Sequence, residues 1–324
     1  QVFLVAGNHD LPISGARADS IQIFATLAVP NVHIASRPGV HRIATRSGVV
    51  QIAALPWIHR NWLFTRDEFR RMRLEEIDQQ VVQRVEESVN QMASALDPSS
   101  PAVLVAHCSV TGAQFGAERS VMLGQDIQIH KGIFSHRAFD YVALGHLHRH
   151  QVLGEHPLMV YPGSLERIDF SEEKEDKGFA LVRVSRGGST YEFRTVPARA
   201  MRTISVRADG ADPTAQVLAA IAKHDLAEAI MRLRIETTPQ RAVEIRDDEV
   251  RRSLADAFLV AAMTKHLARE DPTPRVPGHH VEGLSIRETL ELYLSMKGTT
   301  GERRQALLSC ADALIQELRE GEAR

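Results

Sequence analysis

Three short clusters of polar residues carry the kinds of side chain that bind metal ions or catalyse hydrolysis. They are Gly7-Asn8-His9-Asp10, the single residue His107, and Gly145-His146-Leu147-His148. Residues i and i+2 of an extended segment point to the same face, about 6.5 Å apart. His146 and His148 can therefore each bind one of two metal ions that lie about 3.5 to 4 Å apart. The residue types and their spacing together predict a metal centre.

Each cluster taken alone also has an ordinary structural explanation. Asn8, His9 and Asp10 are favourable turn residues. A single histidine such as His107 is more often a hydrogen-bonded core residue than a ligand, and a His-x-His pair arises by chance in a chain with 15 histidines. Three clusters that all follow apolar segments are harder to explain by packing. We therefore favour the metal centre over three unrelated turns.

Short apolar segments precede the clusters and predict the strands that position them. These strands are Val2 to Ala6, Ala102 to Ala106 and Tyr141 to Leu144. Ligands bind at the carboxyl ends of strands in open α/β sheets, so one sheet would bring the clusters together. Apolar residues at helical spacing predict a long helix from Arg66 to Leu96. Further strands are predicted at Leu158 to Tyr161, Gly178 to Val184 and Tyr191 to Val196.

The pattern changes after residue 198 and predicts a second, smaller α/β domain. Its predicted elements are a strand at Arg202 to Val206, a helix at Pro213 to His224, a strand at Ile230 to Ile235 and a helix at Asp247 to Arg269. A Pro-rich linker at 271–283 follows it. Ser285 and Glu288 form a capping box for a helix that ends at Gly298, and another helix begins near Thr300. The predicted organisation is a core at 1–198, a small domain at 199–270, the linker, and a helix pair at 284–324.

Composition limits the classes of protein to which the chain can belong. It has 324 residues, 44% of them hydrophobic and 25% charged, which is typical of a globular protein with about two domains. No apolar run approaches the roughly 18 residues of a membrane-spanning helix, so we expect no membrane contact. The net charge of -2 excludes nucleic-acid binding through bulk positive charge. Two cysteines are too few for a disulfide framework, which favours the cytoplasm.

The three clusters resemble the last three motifs of the calcineurin-like metallophosphoesterase superfamily. The segment from Tyr161 to Phe170, followed by Lys177-Gly178-Phe179, is similar to the SbcD-type nuclease subunits of SbcCD DNA repair complexes. This resemblance implies an α/β (α+β) fold, a double β-sheet sandwich flanked by helices. It also implies a capping domain at 199–270 and a terminal helix pair that docks on the ATPase subunit SbcC.

The resemblance further implies a role for each residue of the clusters. Asn8, His107 and His146 match ligands of one metal ion, and His148 matches a ligand of the other. His9 matches the catalytic histidine that faces the scissile phosphate, and Asp10 matches the carboxylate that orients it. The resemblance implies two divalent metal ions as cofactors, and Mn²⁺ is the metal that we expect.

The expected function is exonuclease and endonuclease cleavage of DNA during double-strand-break and hairpin processing together with SbcC. The family forms a homodimer within a heterotetramer. An apolar stripe of Ile21, Phe24, Leu27 and Ala28 fits either that dimer contact or ordinary packing on the sheet.

The family's first two motifs, Asp-x-His and Gly-Asp-x-x-Asp, lie upstream of the Gly-Asn-His-Asp motif, and here only six residues precede Gly7. The sequence starts in a predicted strand without an initiator Met, so we expect an amino-terminally truncated chain. Such a chain has an incomplete second metal site and would be inactive alone. Two alternatives stay open: another metallophosphoesterase, such as a phosphatase or phosphodiesterase, or a non-catalytic short form that binds SbcC.

Overall fold

The computed structural model of the chain describes residues 1–10, 20–58, 72–116, 126–267 and 285–322. The chain divides into two compact units. One comprises residues 1–204, 224–233 and 254–262, and the other comprises residues 205–223, 234–253 and 263–324. The boundaries that the sequence predicts, after residues 198, 270 and 283, stay predictions.

A six-stranded mixed sheet forms the centre of the first unit, in the order β3-β4-β5-β8-β10-β9. Its strands are β3 (Gly39–Thr45), β4 (Gly48–Leu55), β5 (Ala102–His107), β8 (Tyr141–Gly145), β9 (Gln151–Glu155) and β10 (Leu158–Tyr161). β4, β5, β8 and β10 are parallel, and the two edge strands are antiparallel to their neighbours. The carboxyl ends of β5 and β8, which carry the second and third clusters, therefore lie side by side.

The long helix α2 (Leu74–Ser94) packs on this sheet through an apolar stripe. Ile77, Val81, Val85 and Val89 recur every four residues, so they share one face of the helix, and all are buried. The predicted helix is confirmed over this range but ends at Ser94. Residues 66–71 of the prediction lie outside the described residues.

Several short elements lie outside the central sheet. They are β1 (Val2–Val5), α1 (Gln22–Thr26), β2 (Val32–Ala35), β6 (Ser109–Val110), β7 (Gln128–Ile129) and α3 (Lys131–Phe134). β1 pairs in parallel with β2, and β6 with β7. The Trp57 backbone N–H donates to the carbonyl of Ala6 at 2.9 Å, which holds the end of β1 beside the end of β4. The first cluster thereby reaches the edge where β5 and β8 end.

The apolar stripe predicted around α1 is largely exposed. Phe24, Leu27 and Ala28 are all exposed to solvent, and Ile21 is half-buried. Ordinary packing on the sheet does not account for these side chains. The alternative, a dimer contact, stays a prediction.

The remaining strands form a hairpin and a three-stranded sheet. The elements are β11 (Gly178–Ser185), β12 (Gly188–Thr195), β13 (Met201–Arg207), α4 (Pro213–Ile221), β14 (Ile230–Thr237), α5 (Pro239–Ala242), α6 (Asp247–Ser253) and β15 (Leu259–Leu267). β11 pairs with β12 in an antiparallel hairpin. The three-stranded sheet has the strand order β13-β14-β15.

The predicted helix from Asp247 to Arg269 is wrong. The helix ends at Ser253, and Leu259–Leu267 is a strand beside β14. The alanines of this segment favour a helix, but backbone pairing with a neighbouring strand outweighs so weak a preference. A bridge between Ala227 and Ala257 begins that pairing.

The helix pair at the end of the chain consists of α7 (Ile286–Met296) and α8 (Gly301–Glu322). The predicted capping box is confirmed, because Ser285 accepts from the Glu288 N–H and Glu288 accepts from the Ser285 N–H. Leu294 and Leu308 are buried. The predicted linker at 271–283 lies outside the described residues.

The fold is mixed α/β, with a central mixed sheet and flanking helices, as the sequence predicts at that level. The finer expectation of two packed sheets stays a prediction. No helix within the described ranges has the length and apolar character needed to cross a membrane.

Candidate metal centre

The first and second clusters meet at the ends of β1 and β5. Asn8 Oδ1 lies 2.9 Å from His107 Nε2. Two ligands that bind one ion at right angles, each about 2.1 Å away, lie about 3 Å apart. This separation is that of a hydrogen bond between the two side chains, and it also fits two ligands of a single divalent ion.

Two glycines make room for the His107 ring. A Cβ atom on Gly7 would lie 2.7 Å from His107 Cε1, and one on Gly145 would lie 3.0 Å from His107 Nδ1. A Cβ atom at 2.7 Å would displace the ring or the turn, and one at 3.0 Å would require the ring to move by a few tenths of an ångström. The glycines that precede Asn8 and His146 therefore leave space for this imidazole.

The environment of His107 keeps it neutral. Burial and, after it, the neighbouring His146 lower the pKa of His107 to about 4, from an ordinary value of 6.5. Nearby Asp10 opposes this effect, while His9 and His148 add to it. At neutral pH the imidazole thus has a free lone pair, which is the form that binds metals. The same interactions show that the three clusters gather around His107.

His146 lies beside His107 and under Trp57. The rings of His146 and His107 have centroids 5.3 Å apart, and the Trp57 ring is 4.9 Å from that of His146. His146 has a backbone φ of +107°, a conformation that non-glycine residues rarely adopt and that costs about 1 to 3 kcal/mol. Such strain is concentrated at functional sites, which is consistent with a ligand role.

A carboxylate outside the three clusters, that of Asp126, faces His146 from its buried side. Asp126 Oδ1 lies 3.8 Å from His146 Nε2. Within the described part of the chain, neither atom has a hydrogen-bond partner. The other carboxylate oxygen of Asp126 accepts from the hydroxyl of Ser109.

His148 is held by a buried ion pair. Its Nδ1 lies 3.0 Å from Glu172 Oε1, and Glu172 Oε2 lies 2.7 Å from Lys177 Nζ. Lys177 also donates to the backbone carbonyl of His148 at 3.0 Å. Burial alone would raise the pKa of Glu172, but hydrogen bonds from Lys177, the Ile168 N–H and His148 outweigh it and lower that pKa. The result is an ionised carboxylate bonded to one nitrogen of His148.

The two predicted catalytic residues lie in the turn after β1. The His9 side chain is exposed. The Asp10 carboxylate accepts from the Gly7 N–H at 2.8 Å and from the Ser20 hydroxyl at 3.0 Å. Asp10 therefore fixes the shape of the turn, and its predicted role of orienting His9 stays a prediction.

The residues present fit part of a two-metal site. Asn8 and His107 supply an amide oxygen and a neutral imidazole at ligand spacing, with His146 next to them. Among the residues described, however, no group of three or more His, Cys, Asp and Glu side chains is arranged to hold an ion. Asn8, His107 and the neighbouring His146 are therefore the described residues that could hold one divalent ion.

Four residues that contact the predicted ligands could not be assigned to the site from the sequence: Trp57, Asp126, Glu172 and Lys177. Lys177 lies in the segment that carries the family resemblance, which was a usable signal. Trp57, Asp126 and Glu172 lie outside the strand-end clusters, and their contacts depend on the packing of loops.

Comparison with known proteins shows a similarity to a nuclease, although no family model matches the chain. The chain is 30% identical over 127 residues to the SbcD component of the SbcCD nuclease of Staphylococcus epidermidis. The matched segment is 38% of this chain and 32% of the relative, so the chain spans about a third of that protein's length. This is a distant similarity to one component of a nuclease.

Proposed function

We propose that the chain is part of a metal-dependent DNA nuclease of the SbcD type. The observation that carries this proposal is the meeting of Asn8 and His107 at 2.9 Å with His146 next to them. The distant similarity to a nuclease component supports the reaction class and favours a nuclease over a phosphatase. Asn8, His107 and His146 would hold one ion, and His148 would contribute to a second, with Mn²⁺ as the proposed metal.

The proposed chemistry is hydrolysis of a phosphodiester bond. Divalent ions held by these residues would lower the pKa of a bound water and would supply positive charge to stabilise the phosphate. His9 is exposed in the turn that carries Asn8, so its imidazole can face a substrate and protonate the leaving oxygen. General acid catalysis of this kind contributes about 10²- to 10⁴-fold. Glu172 fixes the ring orientation of His148 through its contact with Nδ1.

Cleavage assays test this proposal. We expect the 324-residue chain to bind Mn²⁺ but to cut DNA negligibly. A chain extended upstream with the Asp-x-His and Gly-Asp-x-x-Asp motifs should cut it, and His9→Ala in that protein should lose cleavage while keeping its metal. Strong Mn²⁺-dependent cleavage by the 324-residue chain would contradict the incomplete second site. Absence of cleavage by the extended protein, despite bound metal, would contradict the nuclease assignment.

We propose that the helix pair binds the ATPase subunit SbcC. Ile286 and Tyr293 are 71% and 51% exposed on one face of α7. With Thr289 and Leu290 they line a surface cavity of about 410 Å³. An apolar face of this kind suits packing against a partner helix.

Binding assays with SbcC test the role of this face. Ile286→Asp combined with Tyr293→Asp should abolish the association. Ser295→Asp is the control, because this exposed residue lies about 180° around the helix from Ile286. Equal binding by the double variant and the control would remove this face from the interface.

A further inference from the structure

The Asp126 carboxylate faces the His146 imidazole at the buried side of the candidate metal centre. His146 Nε2 and Asp126 Oδ1 are 3.8 Å apart, and the two side chains are only 3% and 9% exposed. Neither atom has a hydrogen-bond partner in the ranges that the structure describes. Buried polar atoms nearly always have a partner, so two such atoms that face each other need an explanation.

The orientation of the carboxylate is fixed by its other oxygen. Ser109 is fully buried in β6, and its hydroxyl donates to Asp126 Oδ2. β7, which begins two residues after Asp126, pairs with β6. The β6–β7 pair therefore holds the carboxylate in place with Oδ1 directed at His146.

His148, the second histidine of the Gly-His-Leu-His segment, already forms a hydrogen bond with a buried carboxylate. Glu172 Oε1 lies 3.0 Å from His148 Nδ1, so one ring nitrogen is bonded to a buried carboxylate. A metal-binding histidine usually donates its other ring N–H to such a carboxylate, which fixes the tautomer and the ring orientation. Asp126 stands in the corresponding position behind His146, but at its Nε2.

We propose that Asp126 is a positioning residue that accepts a hydrogen bond from the Nε2–H of His146, leaving Nδ1 as the nitrogen that binds metal. Closing the 3.8 Å gap to the usual length of about 3 Å needs a shift of less than 1 Å. This hydrogen bond gives a partner to both His146 Nε2 and Asp126 Oδ1. The metal-binding part of this inference rests on the proposed function, whereas the tautomer of His146 exists without any metal.

Nitrogen NMR of the metal-free 324-residue chain tests the tautomer directly. Long-range ¹H–¹⁵N correlations distinguish protonated from unprotonated ring nitrogens, and His146→Gln identifies the His146 signals by their loss. We expect a proton on Nε2 in the wild type and in Asp126→Asn, whose side-chain oxygen still accepts. Asp126→Ala should give a mixture of tautomers. A wild-type His146 without a proton on Nε2, as expected if a cation lay between the two atoms, would overturn the proposal.

Asp140→Ala is the matched control. Asp140 is also a buried carboxylate, but it accepts from the Ala102 N–H at the opposite end of β5. Its loss should leave the His146 tautomer unchanged. If Asp126→Ala does not fold, Ser109→Ala keeps the carboxylate and removes its anchor, and it should also mix the tautomers. An unchanged tautomer in whichever of these two variants folds would overturn the proposal.

Mn²⁺ titration supplies the second measurement. Loss of a carboxylate behind a metal-binding histidine lowers metal affinity about 10- to 100-fold, so Asp126→Ala should show a loss in that range. Asp126→Asn should stay near the wild type. Wild-type protein that binds no Mn²⁺ but has the expected tautomer would contradict the proposed function and leave the Asp126–His146 bond supported. Equal affinity in wild type and Asp126→Ala would overturn the positioning role.

Discussion

Asn8 Oδ1 and His107 Nε2 lie 2.9 Å apart although 99 positions separate the two residues in the sequence. β1 and β5 belong to different sheets, so this contact is not made by strand pairing. It depends on the turn after β1, which the backbone of Trp57 holds beside β4. A test of this contact is therefore a direct test of whether the first two clusters form one site.

The contact predicts the effect of placing a charge on Asn8. Asn8→Asp puts a carboxylate next to the His107 imidazole, and an opposite charge at this distance favours the protonated ring. The pKa of His107 should then rise by about 1 to 3 from its value of about 4. NMR titration of the His107 ring in the metal-free chain measures this. Asn8→Ala introduces no charge and should leave the pKa low, and an equal rise in both variants would contradict the contact.

The low pKa of His107 also predicts how stability depends on pH. The folded-state value of about 4 lies below the ordinary 6.5, so the unfolded chain binds more protons between these values. The contribution of His107 to the free energy of unfolding is complete above pH 6.5 and is lost as the pH falls towards 4. The loss is about 3 kcal/mol for a shift of this size. Denaturant unfolding of metal-free wild type and His107→Gln should show a steeper decrease for the wild type, and parallel curves would be inconsistent with a buried neutral ring.

Gly7→Ala should damage the site through sterics alone. The new methyl would lie 2.7 Å from His107 Cε1, so the ring or the turn must move. Overpacking of this kind costs about 1 to 3 kcal/mol, and we expect Mn²⁺ affinity to fall as well. Gly132→Ala is the matched control, because its added Cβ meets no atom within 4 Å. Unchanged metal binding by Gly7→Ala would show that the His107 ring is not confined as described.

The Glu172–Lys177 pair should be far more important for stability than a surface ion pair. Both side chains are only 1% exposed, so removing one partner leaves a buried charge unpaired. Lys177→Met should cost about 3 to 5 kcal/mol in chemical denaturation. Arg252→Met, which breaks an exposed pair with Asp248, should cost less than 1 kcal/mol. The double variant Glu172→Gln/Lys177→Met should be more stable than Lys177→Met, and a further loss of stability would show that the two residues are not coupled.

Sequence patterns identified the strands that carry the three clusters because each cluster directly follows its strand. The turn placing Asn8 against His107 could not be derived in the same way, since it depends on the Ala6–Trp57 backbone bond. Asp126 was missed for a related reason: it reaches His146 only through the β6–β7 pairing. The strand Leu259–Leu267 was predicted to be a helix because helix propensity depends only on the local sequence and takes no account of the neighbouring strand β14. The features that could not be predicted from the sequence are therefore mainly those that depend on backbone pairing between distant segments of the chain.

Mn²⁺ titration of the 324-residue chain, by calorimetry and electron paramagnetic resonance, tests the central claim most directly. We expect one bound ion in the wild type and in His9→Ala, and loss of that ion in Asn8→Ala, His107→Ala and His146→Ala. The reason is that the first variant removes a proposed catalytic group, whereas the other three remove proposed ligands. A wild-type chain that binds no divalent ion, or an ion that all three ligand variants retain, would contradict the account.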